Sequence, residues 1–311
     1  MTDTADYVKE YFDRHAKPWL EQAYLPDELP AAFPVGSERI RVALEAVAEA
    51  RGGLLVDLGC GGGHLCVHAA RLGFDVVGVD VAPGMVAEAE ALRVRLEPGQ
   101  AERVRLLTGG YQESGVPDGA AAAVTAMGLI EYLPADDGLL AEAARLLQPG
   151  GALAVSCRNR LFNLYSANEY TKNEIESDAG PLLEELRDVV ARTRPGDLEA
   201  LARELSGVSE SLVRAAEADG TDREPGLFHH PSTFVELRRQ HSPRQLAESG
   251  ARHGLTLDHV VALHPHPLPP ALEALAPRVY NQLAFAFQRA LERSPLGLAY
   301  ASSYVGVLTR R

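Results

Sequence analysis

The sequence predicts an α/β protein built on a doubly wound, mostly parallel sheet, and three observations carry that prediction. From Leu54 onward, short apolar runs alternate with amphipathic helical segments, the texture of a sheet covered on both faces. The first apolar run ends in a glycine turn, Gly59-Cys60-Gly61-Gly62-Gly63, that leads straight into a helical segment. The chain has 311 residues, 46% hydrophobic and 23% charged, with a mean hydropathy of -0.10. That is long enough to bury a sizeable core, and the composition excludes fibrous and wholly disordered chains.

Each element follows in order. Thr2 to Trp19 interleaves aromatic and charged residues at helical spacing before prolines break it, and Arg39 to Ala50 reads as a second amphipathic helix. Residues 1–50 are therefore expected as an N-terminal helical arm. The α/β core, 51–157, should place strands at Leu54–Leu58, Asp75–Val79, Val104–Leu107, Ala122–Met127 and Ala152–Cys157. Helices are expected between them at His64–Leu72, Gly84–Leu96 and Asp137–Leu147. From Arg158 to Gln240 the rhythm changes to Leu, Glu, Ala and Arg at i, i+3, i+4 spacing, as in Leu182, Leu186 and Val189. That is expected as a helical cap inserted at 158–240. A helix at Pro243–His253, a strand at Thr256–Leu263, a helix at Ala271–Glu292 and a strand at Ser302–Leu308 resume the core over 241–311. The helix ending at Glu292 carries more apolar groups than one narrow stripe holds, which keeps both a monomer and a homodimer open.

Composition narrows the function classes. Forty-three acidic against 30 basic residues give a formal charge of -13, so nucleic acid and anionic membranes are unfavourable partners. No apolar stretch approaches a membrane span and no apolar leader follows a basic segment, which predicts a cytoplasmic protein. Cys60, Cys66 and Cys157 are odd in number and form no CxxC pair, as suits a reducing compartment. His264-Pro265-His266 lacks further ligands at recognisable spacing, so no metal is expected.

A glycine turn between strand and helix lets a ligand approach backbone N–H groups at a helix N-terminus. The third glycine of a dinucleotide fingerprint is replaced by His64, against an NAD site. Asp80, at the end of Val76-Val77-Gly78-Val79-Asp80, stands where a carboxylate accepts hydrogen bonds from a ribose diol.

Val56-Asp57-Leu58-Gly59-Cys60-Gly61-Gly62-Gly63 and Val79-Asp80-Val81-Ala82-Pro83-Gly84-Met85 resemble the first two motifs of the class I S-adenosylmethionine-dependent methyltransferases. Ala126-Met127-Gly128-Leu129-Ile130-Glu131-Tyr132-Leu133-Pro134 resembles the segment after the fourth strand, and Gln148-Pro149-Gly150-Gly151 the turn before the fifth. The likeness is nearest to the ubiquinone-biosynthesis branch, which acts on small molecules. It implies seven strands with the last antiparallel, and S-adenosyl-L-methionine as cofactor. Gly59, Cys60, Gly61 and Gly63 would lie under its methionine part, Asp57 would fix the loop, and Asp80 would hold the ribose. Val81 and Met85 would pack on the adenine, Met85 serving equally well as core. Tyr111 and Gln112 replace the aspartate found near the adenine amino group, while Met127 and Gly128 would flank the sulfonium.

Methyl transfer is an in-line displacement that needs a base only when the acceptor must lose a proton. After the fifth strand, the run from Arg158 to Thr171 concentrates polar and aromatic groups and reads either as substrate contact or as cap packing. Glu169, His241 and Tyr170 are the catalytic candidates, although Ser242-Pro243 also looks like a helix start beside His241. Arg158, Tyr165, Asn168 and His229, with Tyr11 and Trp19 of the arm, are candidate acceptor contacts. The expected function is methylation of oxygen, nitrogen or carbon on a small organic acceptor, in specialised or quinone-type biosynthesis. The alternative is a partner or regulator that binds the cofactor without transferring its methyl group.

Overall fold

A computed structural model describes residues 9–14, 29–220 and 238–311. Seven strands form one sheet: β1 (Leu54–Leu58), β2 (Asp75–Asp80), β3 (Val104–Thr108), β4 (Ala121–Ala126), β5 (Leu147–Arg158), β6 (Leu255–Pro265) and β7 (Ala301–Arg310). Their spatial order is β3-β2-β1-β4-β5-β7-β6. The first five pair in parallel, whereas β7 runs antiparallel to both β5 and β6. Side-chain alternation sends Val56, Leu58 and Tyr304 into the core on one face and Leu55, Val76 and Val305 into the core on the other. Both faces are thus buried, which is why the strands read as continuous apolar runs.

Helices His64–Arg71, Pro83–Arg93 and Asp137–Leu146 make the crossovers close to their expected places. The helix expected from Arg39 starts earlier: it spans Val35–Ala46, and a short 3-10 turn, Ala48–Ala50, follows it. Arg41 ion-pairs with Glu292 and fastens this helix to the far end of the chain. The segment read as one helix from Ala271 is two, a 3-10 turn at Pro270–Leu275 and a helix at Pro277–Leu291. Pro277 removes the N–H an uninterrupted helix would need and starts a new one instead.

The surplus apolar groups of helix Pro277–Leu291 are partly covered within the chain. Phe285 packs on Phe33 with ring centroids 5.0 Å apart, and Phe287 meets Tyr300 edge-on at 5.3 Å. Helices Pro195–Gly207 and Ser209–Asp219 lie along the same helix. Together with Glu169–Ser177 and Gly180–Ala191 they form the helical layer between β5 and β6. Buried Asn159 anchors its root, donating from Nδ2 to the carbonyls of Leu298 and Ala301 at 2.7 and 2.8 Å.

Candidate active site

The glycine turn is held by the strand beside it. The N–H groups of Gly59 and Cys60 both donate to the Val79 carbonyl, at 2.8 and 3.0 Å. Gly61 N–H donates to Asp80 Oδ2 and Ala82 N–H to Asp80 Oδ1, each at 2.9 Å. Asp80 therefore fastens the loop, and each of its oxygens keeps a lone pair for a further donor. Burial raises its pKa against these two hydrogen bonds.

Gly61 and Gly63 take left-handed backbone, φ +51° and +73°. At Gly63 a Cβ would stand 2.6 Å from that of Ala89, so the helix can approach only because no side chain is there. Around Gly61 the corresponding space is empty to 4 Å. Asp57 lies beneath, accepting from Thr125 Oγ1 at 2.7 Å, and burial pushes its carboxyl up to about 6.

A cavity of about 820 Å³ opens over Gly59, Cys60, Gly61 and Gly62. Its walls bring together Met127 and Tyr132 after β4, Arg158 at the end of β5, and His264 at the end of β6. Phe33 and Arg39 come from the segment before β1, and Phe162 and Tyr170 from the cap. His264 has φ +58°, rare for a residue with a side chain, and its ring stacks on Phe33 at 4.9 Å. Burial, with His266, Arg158 and Arg39 nearby, holds its pKa well below the ordinary value, so its imidazole is neutral at pH 7.

The described turn of the arm, 9–14, bridges the loops after β2 and β4. Asp13 Oδ1 accepts from Gly84 N–H at 2.6 Å, and Phe12 meets Tyr132 edge-on at 5.7 Å. Tyr11 packs against Phe12 and lies off the cavity wall. Trp19 and His229 lie outside the described residues.

The catalytic candidates separate. Tyr170 and Asn168 line the cavity, but the Glu169 side chain is 80% exposed and off its wall. The cause is local: Asn168 caps helix Glu169–Ser177, accepting from Tyr170 N–H at 3.0 Å, and its first residue turns to solvent. His241 is 4% exposed and also off the wall, its Nε2 2.9 Å from Asp136 Oδ1. Despite burial, the hydrogen bonds of His241 and Arg239 hold Asp136 far below the usual carboxylate range. His241 is thus a structural hydrogen-bond partner of Asp136, and Ser242 caps the following helix through Gln245.

The polar run after β5 mostly satisfies itself. Arg160 and Asn163 bind Glu174, and Tyr165 donates to the Pro267 carbonyl at 2.9 Å, away from the cavity. Among the cofactor candidates, Gly63, Asp80, Val81, Met85, Tyr111, Gln112 and Gly128 do not line the cavity. Met85 is core at 2% exposure, Val81 is 42% exposed, and the Tyr111 hydroxyl sits against Gly138. Gln112 is exposed, and Gly128 N–H donates to Ser156 Oγ at 2.6 Å. Sequence reading assigned no site role to Phe33 or Arg39 and weighed His264 only as a metal ligand, because a single side chain that reaches a cavity through tertiary docking has no periodic signature.

Residues 56–155 match the family described as methyltransferase domain. A ubiquinone biosynthesis O-methyltransferase from Xanthomonas oryzae pv. oryzae is 32% identical over 151 residues, covering 47% of this chain and 58% of the relative. One from Methylococcus capsulatus is 31% identical over 157 residues, covering 50% and 63%. The chain thus spans less than two thirds of the length of these curated relatives. Among solved structures, a magnesium protoporphyrin IX methyltransferase from Synechocystis PCC 6803 with bound SAH aligns at a TM-score of 0.55. It is 14% identical, with 99% of this chain and 100% of that one covered. The (4+2)-cyclase SpnF also aligns at 0.55, with 17% identity and 97% and 95% coverage. At these identities the structures share a fold with this chain.

Proposed function

We propose, from the premise that residues 56–155 are a class I S-adenosylmethionine-dependent methyltransferase domain, that this chain transfers a methyl group from S-adenosylmethionine to a small organic acceptor. One observation carries the reading: Gly61, where a Cβ would meet no atom within 4 Å, lines the same cavity as Phe162 and Tyr170 of the cap. On this reading the nucleoside and the acceptor share one cavity.

When bound, the cofactor supplies a carbon activated for displacement, so alignment rather than a catalytic triad is the protein's main contribution. The glycine turn offers its backbone, Asp80 keeps lone pairs at the turn's edge, and Met127 lines the floor. Tyr170, Phe162 and Phe33 wall the acceptor and exclude water. Where an acceptor hydroxyl must lose a proton, the neutral His264 imidazole receives it. The protein works in the cytoplasm on small acceptors of specialised or quinone-type biosynthesis. Among the described residues no helix is long and apolar enough to cross a membrane.

The test is calorimetric titration with S-adenosylhomocysteine, wild type beside Asp80→Ala, followed by an acceptor screen with methyl-labelled cofactor. Binding that Asp80→Ala weakens at least about ten-fold supports the reading, since two backbone donors lose their acceptor. Absence of binding in wild type sinks it. Tight binding with no labelled product from any extract would favour the alternative, a cofactor-binding protein without methyl transfer.

A further inference from the structure

Charged groups buried beside a cavity are ordinarily paired, because an unpaired one forfeits hydration with nothing in return. The arginines around the cap obey this: Arg160 bonds Glu174, Arg239 bonds Asp136 and Arg278 reaches Asp219. Arg39 and Arg158 do not. Both line the cavity, the Nε of each is buried without a hydrogen-bond partner, and neither makes an ion pair.

The two guanidinium groups act on one volume. Both line that cavity and bear on the Tyr132 hydroxyl and on the His264 ring. Arg39 reaches in from helix Val35–Ala46, its Nη1 2.9 Å from where a Gly128 Cβ would stand, beside the loop after β4. Arg158 ends β5 on the cap side, with Phe162 and Tyr170. Arg238 adds a third cation, its guanidinium 5.8 Å from the centre of the Tyr132 ring. Three acids also line the cavity. Asp57 is engaged by Thr125, Glu273 accepts from Asn281, and buried Glu131 offers Oε2 without a partner and pairs with none of the three arginines.

We propose that the acceptor carries a carboxylate, and that Arg158 grips it at the cap end of the cavity while Arg39 strengthens the positive field. This rests on the methyltransferase reading and names the substrate class that reading leaves open. The planar fork of a guanidinium presents two parallel N–H donors that match a carboxylate. Held there, the acceptor lies between the cap residues and the floor at Met127, with His264 beside it to take a proton. The net charge of -13 disfavours anions at long range, so the site must select by contact.

The cofactor brings a carboxylate of its own, and the experiment separates the two sources. Matched pairs of benzoate and benzamide, 4-hydroxyphenylacetate and its amide, and octanoate and octanamide are titrated with and without saturating S-adenosylhomocysteine. In at least one pair the acid is expected to bind about ten-fold more tightly than the amide. Arg158→Gln should erase that preference and Arg158→Lys retain part of it. S-Adenosylhomocysteine and 5′-methylthioadenosine, which lacks the amino acid, should bind wild type and Arg158→Gln alike.

Equal binding of acid and amide in every pair overturns the proposal, as does a preference that survives Arg158→Gln. So does an Arg158→Gln protein that loses S-adenosylhomocysteine but not methylthioadenosine, since Arg158 would then serve the cofactor. Should Arg158→Gln fail to fold, wild type decides: the acid preference must shrink as salt rises, and a salt-independent preference overturns it. If the nucleoside never binds yet the acid preference falls with Arg158→Gln, the anion site stands and the methyltransferase reading fails alone.

Discussion

Replacing Gly63 and Gly61 separately by alanine should split fold from binding, although the two glycines are neighbours in one turn. Both hold left-handed backbone, which costs a residue with a Cβ about 1–2 kcal/mol. At Gly63 the new methyl would also sit 2.6 Å from Ala89 Cβ and 3.0 Å from its Cα. Neither is the end of a flexible side chain, so helices His64–Arg71 and Pro83–Arg93 must separate, adding about 1–3 kcal/mol. Gly63→Ala is therefore expected to lose about 2–5 kcal/mol, or roughly 3–8 °C in Tm for a protein of this size. Gly61→Ala meets no atom within 4 Å and should lose only the backbone part. Gly61 lines the cavity, however, so on the proposed function S-adenosylhomocysteine should bind at least about ten-fold more weakly. Urea unfolding and calorimetry on both variants read the two effects. Equal destabilisation of the two proteins, or undiminished affinity in Gly61→Ala, would refute the assignment of one glycine to packing and the other to the ligand.

Three further outcomes are expected. Asp57 keeps its proton to about pH 6 in the fold, whereas the unfolded chain releases it near its ordinary value; the native state therefore binds more protons in that window, and stability falls as pH rises through it. Urea midpoints of wild type should fall relative to Asp57→Asn by an equivalent of about 2–3 kcal/mol between about pH 4 and about pH 7; a constant difference would contradict this. His241→Ala should lose about 2–3 kcal/mol, because it strips a partner from buried Asp136 while Arg239 and Ser249 remain. Its affinity for S-adenosylhomocysteine should stay within about two-fold of wild type, and a large loss would return His241 to the active site. His264→Asn should lower kcat on a hydroxyl acceptor by about 100-fold without weakening the nucleoside. Because the folded imidazole titrates well below its ordinary value, the wild-type rate should hold through neutral pH and drop only in acid; a fall centred near pH 7 would point to another base.

The sheet was readable because its evidence is periodic and local. The runs at β1 and β2, the turn between them and Asp80 lie within one β-α-β unit, so spacing alone places Asp80 beside Gly61. The antiparallel last strand came only through family resemblance. The cap side was not readable in the same way. Composition marks the run after β5 as polar and aromatic, yet an asparagine cap decides that Glu169 faces solvent, and a carbonyl at Pro267 decides that Tyr165 is spent on packing. Arg39 and His264 reach the cavity from elements more than two hundred positions apart in sequence, a convergence set by tertiary docking and invisible to a window of any length. Helix Pro277–Leu291 is a further case: its apolar excess could not say which neighbours take it up, and Phe33 with helices Pro195–Gly207 and Ser209–Asp219 takes up part of it.

The position of β7 between β5 and β6 imposes an order on biosynthesis. Ribosomes deliver β1 to β5 first, with the glycine turn and Asp80 already able to assemble. Strand β6 emerges later and finds no neighbour, because its only place in the sheet is beside β7. Joining Leu153 to Leu308 then closes a loop of roughly 150 residues, an entropically slow event. Until it happens, β5 shows a bare apolar edge of the kind that recruits other chains. The glycine turn and Asp80 can therefore come together while the nascent polypeptide is still growing, whereas His264 joins the cavity only after residues 301–310 have been made.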